Sequence, residues 1–119
     1  MKAKRAVVIV GVSFLLAAMP ALGHHSFKVQ YDENQPITLN GTVTKVTWKN
    51  PHVLVSIDVK DGSGNATNWE LELASPNGLL SQGWKVDSLK QGDQVTANGY
   101  PARDGSHLAN IRKVSFAVH

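Results

Sequence analysis

The sequence contains no cysteine. That one absence excludes disulfides, thiolate metal centres and cysteine nucleophiles. Aromatic residues are few, at 7% of the chain. Long apolar runs are also missing. The longest, Ala6 to Ala18, is interrupted by Ser13 and falls short of the ~20 residues that span a bilayer. A dominant charge sign is lacking too. The formal net charge of +3 comes from Lys2, Lys4 and Arg5; without them, nine basic residues face nine acidic ones. A neutral body gives no general basic face, so nucleic acid is not expected as a partner. At 119 residues the chain has room for one domain and not for a multidomain enzyme.

What is present begins with an address. Lys2, Lys4 and Arg5 precede the apolar stretch, and Met19-Pro20-Ala21-Leu22-Gly23 follows it as a breaker ending in small residues. This is the pattern of a secretory signal peptide over residues 1–23, with cleavage expected after Gly23. A membrane anchor is the alternative, and the apolar stretch is short for one. The expected location is the bacterial periplasm or the medium, with a mature chain from His24 to His119.

The mature chain reads as an extended arm over 24–36, then a mainly β domain over 37–119. Ile37, Leu39, Gly41 and Val43 alternate with polar residues, and the apolar set then slips by one to Val46 and Trp48. A one-residue slip exchanges the two faces, so a β-bulge is expected near Thr44-Lys45. Val53, Val55, Ile57 and Val59 mark a second strand. A turn at Asp61-Gly62-Ser63-Gly64-Asn65 leads to a third, with Trp69, Leu71 and Leu73 inward and Asn68, Glu70 and Glu72 outward. Ser75-Pro76 reads as a helix cap followed by proline at the first helical position, with a stop at Gly83. A further helical turn is expected over Val86 to Lys90. Two more strands follow, carrying Val95, Ala97 and Gly99, then Leu108, Ile111, Val114 and Phe116, the last with a second slip. The order β-β-β-α-β-β predicts a small five-stranded OB-like Greek-key barrel with one short helix between strands 3 and 4.

Several motifs recur together in a known arrangement. They are His24-His25-Ser26-Phe27, Tyr31-Asp32, Trp48-x-Asn50-Pro51-His52, Asn68-Trp69-x-x-Glu72, Ser75-Pro76-Asn77, Gly83-Trp84 and Leu89-x-x-Gly92-Asp93. With them the mature chain resembles a family of small exported bacterial proteins that carries a domain of unknown function. The resemblance implies no activity. A looser likeness, through the Gly-Asp-x-Val-x-x-x-Gly pattern of Gly92 to Gly99, is to bacterial periplasmic OB-fold proteins.

The new N-terminus is the sharpest chemical feature. Cleavage after Gly23 would join a free α-amine and an imidazole on His24, with a second imidazole on His25. Such nitrogen donors suit Cu(II), Ni(II) and Zn(II), and copper binds most tightly of these. His52 and His107 are the candidates for a further ligand. Cleavage after Ala21 would place His24 third, another arrangement that chelates Cu(II) through backbone nitrogens. The other reading of His24-His25 is a plain polar start.

A second feature is topological. The loops between strands 1 and 2 and between strands 4 and 5 are expected at one end of the barrel. They would bring Lys49, Asn50, His52, Arg103 and His107 to one rim, with Trp48 and Tyr100 at nearby strand ends. Catalysis finds no nucleophile with readable partners, and Glu70 and Glu72 read as a solvated pair. The expected function is binding and not turnover: a periplasmic binding protein with copper as its cofactor, held by His24 with His25, His52 or His107. The alternative is a metal-free ligand- or partner-binding module using Trp48, Lys49, Asn50, Tyr100 and Arg103.

Overall fold

A computed structural model describes residues 27–117. Residues 1–23, expected as a signal peptide, and His24 and His25 lie outside the described residues. Residues 27–30 are helical, where an extended arm was expected. Phe-Lys-Val-Gln contains no breaker, and the turn residues of this stretch, Asp32 to Pro36, come only after it. The barrel unit begins at Tyr31.

Five strands follow: β1 (Ile37–Thr47), β2 (Leu54–Lys60), β3 (Ala66–Glu72), β4 (Gln94–Pro101) and β5 (Leu108–Phe116). They form a closed barrel in the order β1-β2-β3-β5-β4. All pairings are antiparallel except β3 with β5, a parallel seam of three residue pairs from Glu70–Leu108 to Glu72–Asn110. The bulge expected in the first strand is present. The β1–β2 register shifts between Val43 and Lys45, which carries Val43 and Val46 to the same side. A second shift lies between Asn98 and Gly99 in the β4–β5 pairing and leaves Arg112 as the extra residue.

The barrel interior is aliphatic. Val43, Val53, Val55, Ile57, Leu71 and Val95 are essentially inaccessible, as are the small Ala97 and Ala109. Each fully buried Val, Leu or Ile contributes about 1.5–3 kcal/mol over its exposed form. No disulfide adds to this, so the core and the strand ladders hold the fold.

The helix α1 (Pro76–Ser81) joins β3 to β4. The Ser75 hydroxyl accepts the Gly78 N–H at 3.0 Å, and Pro76 gives up an N–H that a first helical turn leaves without a helix partner. Leu79 is the buried residue of the helix. Gly83, at φ +97°, ends it in a conformation that L side chains resist. Beyond it, 86–89 form turns and bends, not the further helical turn expected there.

Gly99 is the tightest point. A Cβ added there would fall far inside van der Waals contact with the Asn110 carbonyl oxygen and 2.8 Å from the Ile111 Cα, both backbone atoms. Gly99→Ala is therefore expected to cost about 3 kcal/mol or more. Chemical denaturation should show this as a lower midpoint with an unchanged slope.

Candidate functional site

The register decides which candidate residues meet. His52 lies opposite the end of β3. Its Nδ1 is 2.8 Å from the Leu73 carbonyl oxygen, and the Val53 N–H donates to the Ala74 carbonyl. His107 lies about midway along β3, where its carbonyl accepts the Glu70 N–H at 3.0 Å. These levels differ by about five residues of strand, or roughly 15 Å along β3. The expected convergence of the two loops on one rim is therefore corrected. The cause is strand direction: β5 runs parallel to β3 and enters beside Glu70, whereas β2 runs antiparallel to β3 and starts beside Glu72, at the far end of that strand.

Each rim residue has its own setting. Lys49 and Asn50 are exposed, and the Asn50–Pro51 peptide is cis. Trp48 packs half-buried against the core. His52 donates from Nδ1 to Leu73, which leaves Nε2 as its lone-pair nitrogen. That is also how metal-ligating histidines are commonly held. Arg103 pairs with Asp32 at 3.9 Å. The ring of His107 tilts against Trp69 at 5.0 Å between centroids. Among the described residues, no three His, Asp or Glu side chains are grouped so as to hold a metal.

The outer face of β2, β3 and β5 carries a connected polar patch instead. Ser56 lies opposite Glu70, and Leu54 opposite Glu72. The Ser56 hydroxyl donates to Glu70 Oε1 at 3.1 Å. Asn110 Nδ2 donates to Glu72 Oε1 at 3.1 Å. Arg112 Nε donates to Asn110 Oδ1 at 2.8 Å, and its guanidinium sits 5.7 Å from the Tyr100 ring centre. Glu70 and Glu72 are half-buried members of this patch, not the merely solvated pair that alternation suggested.

Tyr31 is the residue that sequence reasoning passed over as part of a site. Its ring is 1% exposed. It bridges to Ala102, and the next residue, Asp32, donates its N–H to Pro101 at 2.9 Å. Burial, then the negative charge of Glu72 and a hydrogen bond with it, push the Tyr31 phenol far above its ordinary range. The one available signal was the Tyr31-Asp32 pair among the recurring motifs.

A closed five-stranded barrel with this strand order, and a helix between β3 and β4, is an OB fold. Within that class the chain belongs to a family of unknown function, DUF6152, whose model matches residues 12–110. A search of curated proteins finds no significant match. Solved structures share the barrel at low identity. The mitochondrial single-stranded DNA-binding protein Rim1 of S. cerevisiae is 10% identical, with TM-score 0.54, over 69% of this chain and 92% of that one. A small single-stranded DNA-binding protein of Streptomyces coelicolor is 17% identical, with TM-score 0.53, over 71% and 93%. The N-terminal domain of PriB from Thermoanaerobacter tencongensis is 17% identical, with TM-score 0.54, over 73% and 100%.

These neighbours correct the expectation that nucleic acid is not a partner. Two are single-stranded DNA-binding proteins built on the same barrel, so this fold is one on which such a ligand is bound. The exclusion rested on net charge, which averages over a surface and says nothing of one face. Arg112 beside Tyr100 is a local basic and aromatic pairing that the average conceals.

The Tyr31 setting has a pH consequence. Burial and the nearby Glu72 raise its phenol pKa above the ordinary value of about 10, so the folded state keeps a proton that the unfolded state loses. The associated stability is whole below about pH 10 and is lost as pH rises above it. Melting temperature is expected to fall more steeply above pH 10 in the native protein than in Tyr31→Phe, and the two slopes should match below it.

Proposed function

We propose that this chain is an exported binding protein, processed after Gly23 in the periplasm, that takes Cu(II) at its new N-terminus. The observation that carries this reading is the placement of His24-His25 directly after the leader. His24 would supply its α-amine and an imidazole nitrogen, and His25 a second imidazole. The amine titrates near pH 8, at about 7.7–8.0, so its deprotonation on metal binding costs little. Cu(II) stands highest among the divalent ions for such donors. The barrel serves as the carrier, and no turnover is assigned to it.

The test is protein expressed with its leader and purified from the periplasm. Its mass should correspond to a chain starting at His24. One-to-one Cu(II) binding at submicromolar affinity is expected. It should disappear in His24→Ala and in a variant with one extra residue ahead of His24. Weak or nonstoichiometric binding by the correctly processed chain would overturn the copper reading.

The Tyr100–Arg112 pairing favours a second reading, in which single-stranded nucleic acid runs along β4 and β5. Tyr100 would stack on a base while Arg112 meets phosphate, as such platforms do. The carboxylates of Glu70 and Glu72 would keep the strand off β3. A fluorescein-labelled oligo-dT should then bind at micromolar concentration in low salt. Tyr100→Ala should weaken it about tenfold, from stacking worth ~1–3 kcal/mol per base. An unchanged anisotropy at high protein concentration would remove this reading.

A further inference from the structure

The stretch after α1 folds back on itself. The Trp84 N–H donates to the Leu79 carbonyl at 3.0 Å, and the Ser88 N–H to the Lys85 carbonyl at 3.0 Å. The Ser88 hydroxyl accepts the Lys85 N–H at 2.8 Å. Between this folded loop and the end of β5 lies a crevice of about 240 Å³. Leu89 and Val114 contribute apolar walls, and Trp84 and Phe116 contribute rings. Gln82 and Ser88 add an amide and a hydroxyl, while the Ser115 side chain alternates to the other face of β5 from Val114 and Phe116. The Ser88 hydroxyl uses its oxygen toward Lys85, which leaves its own O–H to donate.

Three observations bear on what fits there. The first is size. A cavity of ~150 Å³ takes a benzene ring, so this volume suits one or two fused rings. The second is exposure. Four large apolar side chains stand out as exposed among the described residues: Val29, Leu80, Val86 and Phe116. Phe116 lines the crevice, while Leu80 and Val86 each lie two residues from a lining residue in the same folded stretch. The third is charge. The lining residues include none with a charged side chain, so a charged ligand would lose water with no partner to offset the loss. The polar groups present are neutral and can hydrogen-bond.

We propose that this crevice is a binding site for a small, neutral, planar aromatic molecule carrying a hydrogen-bonding group, of the indole or phenol class. The ring lies between Trp84 and Phe116 over Leu89 and Val114. Its N–H or O–H meets Gln82 or Ser88. The site is distinct from the polar patch on β2, β3 and β5, and it stands or falls independently of the copper reading.

The experiment is a titration of the mature, isotope-labelled protein with indole, followed by amide chemical shifts. Saturable shifts confined to 82–89 and 114–116, with a dissociation constant below about 1 mM, are expected. Phe116→Ala removes a side chain that is 60% exposed, so the barrel spectrum should persist while indole affinity falls at least threefold. Cyclohexanol, which is polar but not planar, should bind more weakly than indole. Shifts that scatter over the surface, that fail to saturate or that ignore Phe116→Ala would overturn the proposal. So would saturable binding of a tryptophan-containing tripeptide with none of free indole, which would make the crevice an anchor for a peptide.

Discussion

The closeness of β4 and β5 at Gly99 is the constraint on which the barrel depends. A sheet of five strands closes only where neighbouring backbones can approach and bend sharply. Gly99 faces the Asn110–Ile111 backbone with no room for a Cβ, and the adjoining bulge supplies the bend. Inside, Ala97 and Ala109 have no accessible surface; small side chains there let the walls converge. With this corner closed, β5 can lie parallel to β3 and complete the ring through three residue pairs. No cysteine cross-links the ring, so packing and the strand ladders maintain the closure.

The seam that closes the barrel also distributes its chemistry. Because β5 starts beside Glu70, Asn110 falls beside Glu72 and bonds to it. The segment from Tyr31 binds Pro101 and Ala102 at the β4–β5 turn, and Tyr31 brings its phenol to Glu72. A half-buried carboxylate thereby has Asn110 as a donor and the Tyr31 phenol nearby, from two elements far apart in sequence. The same seam holds His107 away from His52, so a shared metal site between these two histidines has no geometric support. Each is instead held locally, one by the Leu73 carbonyl and the other against Trp69.

Much of the fold was legible because its signals are local. The slip from Val43 to Val46 marks a bulge, since alternation has a strict period of two and an extra residue must break it. Ser75-Pro76 and Gly83 bracket a helix through capping and backbone chemistry that needs no distant partner. The site was less legible. Alternation placed Glu70 and Glu72 outward correctly, but outward is not the same as solvated. Their half-burial follows from Ser56 and Asn110, and in Glu72 also from Tyr31. Residues 27–30 and the turns after Val86 are less legible: Phe-Lys-Val-Gln carries no residue that marks its state, and 86–89 spans barely one helical period. The inference against nucleic acid failed for a related reason. Net charge is a sum over the chain, and recognition happens on one face.

By itself the sequence determined the strand order, the first bulge, the helix cap and the aliphatic interior, and with these the OB class. Each follows from the chemistry of near neighbours along the chain. Only the tertiary structure decided which loops share an end of the barrel, which carboxylates gain partners and where Trp84 and Phe116 enclose a crevice. Those outcomes rest on the register between strands tens of residues apart. Register is set by how the whole interior packs, and no short stretch of sequence carries it.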